Sequence, residues 1–329
     1  MQLLSLEPSA LSRIVYGCRM LPILSSQIGN AGQHVAEWPP LPLEAWKDTR
    51  DTLHMWTQII GKIRLKLAPR LNHWWQVPLY LTSRGLTTTP IPFGDRTFDV
   101  TFDFIDHVLL VQTSDERTER ISLRPRSVAD FYHEVMTSLG RLDIDVAIWT
   151  KPSEVPAPIR FEEDRQHASY DAASVTRFWR VLAAADGILK EFRASFVGKA
   201  SPVHFFWGGF DLAVTRFSGR RAPDREGADL ITREGYSHEV SSCGLWFGSG
   251  SLTGPAFYAY AAPEPPGFKE AQIRPAQAFY SSEFSNFLLL YDDLRAAADP
   301  RAMLLEFLQS TYEASAILGR WDRQNLERG

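Results

Sequence analysis

The sequence predicts a mixed α+β protein made of two tandem units, each a helix followed by antiparallel strands, and three observations carry that reading. Apolar residues recur at helical spacing in two long stretches, Leu43 to Leu67 and Val175 to Phe196. Aromatic segments of period two follow each stretch; the clearest interleaves Phe98, Val100, Phe102 and Phe104 with Asp99, Thr101 and Asp103. Between the two sets lies Lys151 to Pro158, whose prolines forbid a regular element.

Residues 1–37 show little periodicity and end in the polar run Gly29 to Gln33, so they read as an N-terminal extension, with the fold starting near Trp38. Past Pro39, Pro40 and Pro42, the residues Leu43, Trp46, Leu53, Trp56, Ile60, Ile63 and Leu67 predict a long amphipathic helix that stops before Pro69. His73 to Gln76 and Val77 to Ser83 read as strands, Thr87 to Pro92 as a loop. Phe98 to Ile105, Val108 to Thr113 and Ile121 to Leu123, separated by turn residues, form an antiparallel meander. Ser127 followed by Asp130 resembles a capping box for a helix ending near Gly140, and Ile144 to Trp149 reads as a strand. The first half is thus 38–150, a Pro-rich and acidic connector 151–169, and the second half 170–329.

In the second half Asp171 is placed to cap the second long helix. Strands follow at Val203 to Trp207, Phe210 to Phe217, Glu239 to Phe247 and Phe257 to Ala261, and Asp299 with Pro300 opens a last helix. Laid side by side, the halves suggest an internal repeat in which His73-Trp74-Trp75 answers His204-Phe205-Phe206. Duplication about a pseudo-twofold axis and convergence of two ordinary α and β units both remain open.

Hydrophobic residues at 44% against charged ones at 22% provide for a packed core rather than disorder. The net charge of -4, with Lys and Arg scattered, lacks the electrostatic footprint of a nucleic-acid binder. No apolar run reaches the roughly 20 residues of a membrane span, so no membrane partner is expected. Two cysteines, Cys18 and Cys243, with no CxxC, fit a reducing compartment, and the expectation is a cytoplasmic protein. Oligomeric state is not set by the sequence.

The candidate catalytic residues are His204, His238 and Glu239, since imidazoles and a carboxylate among aromatic strands can exchange protons near neutral pH. Candidate ligand-binding residues are His73, Trp75, Arg84, Asp211, Arg216, His54, Gln58 and His167. Arg84 and Arg216 could clamp an anionic group, or could equally serve surface ion pairs. Asp211, between Phe210 and Leu212, needs an Arg partner such as Arg84 or Arg216, or else acts as a base. His54 and Gln58 share one face of the first helix. His167 lies in the ionisable run Phe161 to Asp171. No cofactor is identified, and a tightly bound metal is not expected, because no histidine pair has a ligand spacing such as HExxH. Gly248-Ser249-Gly250 lacks the spacing of a phosphate cradle, and no GxSxG elbow is present.

Across Leu53 to Lys62, Asn72 to Trp75, Phe161 to Asp171, Ser201 to Gly208 and Tyr236 to Gly244, the sequence resembles a family of bacterial proteins catalogued only as a domain of unknown function. The resemblance covers about Trp38 to Arg328 and implies no activity, cofactor or catalytic residue. The leading expectation is an enzyme acting on a small polar or aromatic molecule in a cleft between the halves lined by His, Trp and Arg. The alternatives are a noncatalytic small-molecule binding module and a structural scaffold.

Overall fold

The computed structural model describes residues 38–248 and 250–328. The expected N-terminal extension lies outside the described residues. Helix α1 (Leu43–Leu67) follows the predicted spacing, burying Trp46, Leu53, Trp56, Ile60 and Ile63, and it ends where Pro69 removes the next donor. Then come a 3-10 turn (Asn72–Trp74) and six strands, β1 (Tyr80–Leu81), β2 (Gly85–Thr87), β3 (Ile91–Phe93), β4 (Arg96–Asp103), β5 (Val108–Thr113) and β6 (Thr118–Ser122). Helix α2 (Val128–Arg141) starts at Ser127, whose hydroxyl accepts the Asp130 N–H. Trp56 of α1 stacks on Phe131 of α2 at 4.4 Å between ring centroids, which locks the two helices together.

The second run also opens on a long helix. Helix α3 (Ala172–Ala194) is capped by Asp171, whose carboxylate accepts from Ala173 and Ser174 N–H groups. After it come β7 (His204–Phe206), β8 (Asp211–Arg221), the short α4 (Leu230–Gly235), β9 (His238–Trp246), β10 (Ala256–Ala262), β11 (Phe279–Ser281) and β12 (Asn286–Leu290). Helices α5 (Tyr291–Arg295), α6 (Pro300–Leu318) and α7 (Arg323–Leu326) close the chain, α6 starting with Asp299 as cap and Pro300 in its first turn. Among the described residues no helix is long and apolar enough to cross a membrane.

All strand pairings are antiparallel and form two sheets of six strands, so the fold is α+β. One sheet runs β1-β2-β4-β5-β6 with β3 on β4, the other β7-β8-β9-β10-β12-β11. Leu79 and Phe205 exchange both backbone hydrogen bonds at 2.9 Å in an antiparallel bridge, so the two sheets meet at their first strands and meander outward from there.

Two expected strands are absent. Asn72–Trp74 forms a 3-10 turn, with His73 and Trp74 at φ 57 and 59°, a left-handed conformation that ends pairing. The residue opposite Phe205 is therefore Leu79, and the proposed match of His73–Trp75 to His204–Phe206 does not extend to equivalent backbone. Ile144 to Trp149 has no strand partner and lies outside regular secondary structure. The expected loop Thr87 to Pro92 instead contributes the end of β2 and the start of β3.

Candidate functional site

The alternation of β7 to β10 gives the second sheet two unlike faces. Phe205, Leu212, Val214, Cys243, Leu245, Phe257 and Ala259 are buried and meet α3 and α6. His204, Phe206, Asp211, Thr215, Phe217, Ser242, Tyr258 and Tyr260 occupy the other face and line a cavity of about 510 Å³. Its cover comes from three places: Leu65 of α1 with Trp74, Trp75 and Val77 beyond it, the connector at Ser153 and Glu154, and α4 with Tyr236. The cavity therefore lies where the first half, the connector and the second half converge.

Along β8 the cavity forms a trough. Asp211 and Phe217 are six residues apart on one face, about 20 Å at the usual strand rise. At the Asp211 end Tyr258 donates its hydroxyl to Asp211 Oδ2 at 2.5 Å. Tyr258 reaches that carboxylate from β10 by lying across β9 at Gly244, where a Cβ would stand 2.8 Å from the tyrosine oxygen and 2.0 Å from the Leu212 carbonyl oxygen. Burial pushes the Asp211 carboxyl up to about 7, against the Tyr258 hydrogen bond and with the Glu154 carboxylate adding to the rise. Glu154 is exposed as a residue, yet its carboxyl tucks against Gly208, where a Cβ would stand 2.3 Å from Oε1. That burial, with Asp229 nearby, holds Glu154 above the usual carboxylate range. Asp229 itself accepts the Ile231 and Thr232 N–H groups at the start of α4.

His204 stands opposite Ala213, in the middle of the trough. It is 1% exposed, with the rings of Trp75, Tyr80 and Phe206 at 5.3 to 5.9 Å, and neither ring nitrogen has a hydrogen-bond partner. Burial, with Arg64 and Arg193 adding to it, lowers its pKa to about 3, so the imidazole is neutral. At the far end His73 receives a hydrogen bond from Lys199 Nζ at 2.7 Å and donates to the Gly235 carbonyl at 3.2 Å. Lys199 also rests over the Trp75 and Phe217 rings, at 5.3 and 5.1 Å. Overhead, Tyr236 and Tyr260 hydroxyls bond at 2.8 Å, tying the end of α4 to the sheet.

His54 and Gln58 stand behind the wall rather than in it. Gln58 clamps Ser153 at both backbone atoms, donating to its carbonyl and accepting its N–H at 2.8 Å each. His54 Nε2 donates to the Gly208 carbonyl at 2.9 Å, and burial lowers its pKa to about 4, keeping it neutral. One turn on, Lys62 donates to the Lys151 carbonyl and Ser153 Oγ, and Trp207 packs over Gly61. One stripe of α1 thus fixes the two loops that present Glu154 and Trp207.

Of the sequence candidates, His204, His73, Trp75 and Asp211 come together in the cavity. His238 lies beside His73, ring centroids 5.5 Å apart, outside the lining, and Glu239 is engaged by Arg220 and Ser218. Arg84 pairs with Asp103 and Asp106 on the first sheet. Arg216 points to the opposite face of β8, its guanidinium 3.5 Å from the Phe192 ring centroid. His167 hydrogen-bonds Asp164 at 2.7 Å, away from the cavity. Among the described residues no Arg or Lys lines the cavity, which corrects the expected arginine lining, and Asp211 is partnered by Tyr258 rather than an arginine. Sequence reasoning missed Tyr258, Tyr260, Tyr236, Glu154 and Trp207. The alternation Phe257-Tyr258-Ala259-Tyr260 was the available signal for two of them, because it puts both tyrosines on one face of a recognised strand.

The sequence model of a family of unknown function (DUF5996) matches residues 38–328, and the chain belongs to that family. No curated protein and no solved structure matches it.

Proposed function

We propose that this family member holds a small organic molecule in the trough over its second sheet. The observation that carries the reading is His204, a fully buried imidazole in the wall of an aromatic cavity with both ring nitrogens unpartnered. An unsatisfied buried polar group costs about 1–3 kcal/mol, and a ligand supplying a hydrogen bond removes that cost. The cavity's size and its largely apolar, aromatic-rich wall with a few converging polar groups are those of small-molecule sites. The test is a small-molecule screen by thermal shift on the wild type and on Thr215→Trp, which fills the middle of the trough. Hits that stabilise the wild type and lose their effect in a folded Thr215→Trp protein support the reading; hits that stabilise both equally overturn it.

A second reading, an enzyme, is favoured by Asp211. A carboxyl held near 7 against a tyrosine hydroxyl can take and return a proton at neutral pH, the property required of a general acid or base. Incubating the screen's hits with the protein and following them by mass spectrometry tests this: turnover that Asp211→Asn stops even at saturating substrate supports it, and unchanged hits refute it.

A further inference from the structure

We propose that the molecule held in the trough is an organic ammonium, its cationic nitrogen between the carboxylates of Asp211 and Glu154, with a hydrogen-bonding group reaching His204. This inference rests on the small-molecule reading above and names the class of ligand. Among the described residues three acidic side chains line the cavity, Glu154, Asp211 and Asp229, and no Lys or Arg does. Asp229 is occupied by the N-terminus of α4, which leaves two carboxylates at one end of the trough. Among the described residues neither of these two has a cationic partner; the only side-chain hydrogen bond to Asp211 comes from Tyr258. The ammonium of Lys62, behind the connector, is taken up by the Lys151 carbonyl and Ser153 Oγ, and that of Lys199 by His73 at the other end of the trough, about 20 Å along β8.

The surroundings fit the same charge. Phe206, Trp207 and Tyr258 bring aromatic rings to the acidic end, and ring faces attract cations most strongly where water is excluded. An anion would meet uncompensated carboxylates, and a neutral molecule would leave both without a cation. His204 supplies an independent pointer, since its orphan nitrogens call for a ligand hydrogen bond whatever the charge at the acidic end. It faces Ala213, two residues from Asp211, so the ligand's polar group sits about 7 Å from its nitrogen. The neutral imidazole offers one donor and one acceptor, which suits a hydroxyl and does not repel the cation.

The experiment uses the full chain and a panel of size-matched amines, alcohols and carboxylates, anchored by tyramine, 4-hydroxyphenethyl alcohol and 3-(4-hydroxyphenyl)propanoate. Binding is followed by calorimetry at pH 8. Amines are expected to bind at least tenfold more tightly than the matching alcohols and more tightly still than the carboxylates. Asp211→Asn with Glu154→Gln should erase that preference while leaving alcohol binding in place, and phenethylamine, lacking the hydroxyl, should lose its sensitivity to His204→Phe. Alcohols or carboxylates binding as well as amines would overturn the ammonium inference and leave the cavity reading standing. No binding from any of the three classes at millimolar concentration would overturn both.

Discussion

Replacing Asp211 by Asn should stabilise the protein above neutral pH. The ordinary carboxyl value is 3.8 and burial moves Asp211 to about 7, so its ionised form is disfavoured in the folded state by about 4 kcal/mol at the upper limit. The open side of the trough screens the charge, which brings the expected gain from Asp211→Asn to about 2–4 kcal/mol at pH 8.5. The sign follows from proton binding. A folded value raised above the unfolded one gives a contribution to stability that is complete below 3.8 and lost as pH rises through 7. Asn keeps an oxygen for the Tyr258 hydroxyl and carries no charge, so the variant lacks this pH dependence. Urea denaturation at pH 4 and pH 8.5 measures it: the two proteins should be nearly equal at the lower pH and separate at the higher. An Asp211→Asn protein less stable than the wild type at pH 8.5, or a difference that does not change with pH, would show that burial does not disfavour the ionised Asp211 carboxylate. A residue whose removal strengthens the fold is one whose presence the fold alone does not explain.

Other consequences can be checked alongside. Amine binding should weaken about tenfold per pH unit below 7 and level off above it, because Asp211, faced by Tyr258 and with Glu154 and Asp229 nearby, must be ionised to hold the cation; calorimetry between pH 5 and 8.5 reads this. Gly244→Ala should cost about 2–4 kcal/mol and detach Tyr258 from Asp211, seen as a further rise of the Asp211 carboxyl in 13C-detected titration. Gln58→Leu leaves both Ser153 backbone groups unpartnered and should cost about 2–5 kcal/mol in denaturation, with weaker ligand binding as Glu154 loses its support. Arg216→Ala, on the opposite face among Phe192, Phe196 and Tyr312, should cost about 2–5 kcal/mol of stability while ligand affinity in the folded protein stays unchanged.

The helices were legible because their signals are local: spacing for α1 and α3, and single cap residues, Ser127, Asp171 and Asp299, for three starts. Strands β4, β5 and β7 to β10 were legible from alternation and aromatic content. The turn at Asn72–Trp74 was not, since aromatic composition favours a strand there and left-handed backbone at His73 and Trp74 is imposed by packing against α4. Asp211 stood out as a charge in an apolar strand, but its partner could not be read. That partner lies 47 residues on, across an intervening strand, and depends on a glycine in between. Glu154 was hidden in a proline-rich connector whose path is set by Gln58 and Lys62, two residues of the first helix.

A ligand site built around His204 would show itself in the ring-nitrogen NMR signals of that histidine, assigned by comparison with His204→Phe. The imidazole is expected to stay neutral down to about pH 4 and to change at one or both ring nitrogens when a hit from the screen is added. A His204 that titrates near 6.5, or ring signals that stay fixed while the hit perturbs residues elsewhere, would contradict that expectation.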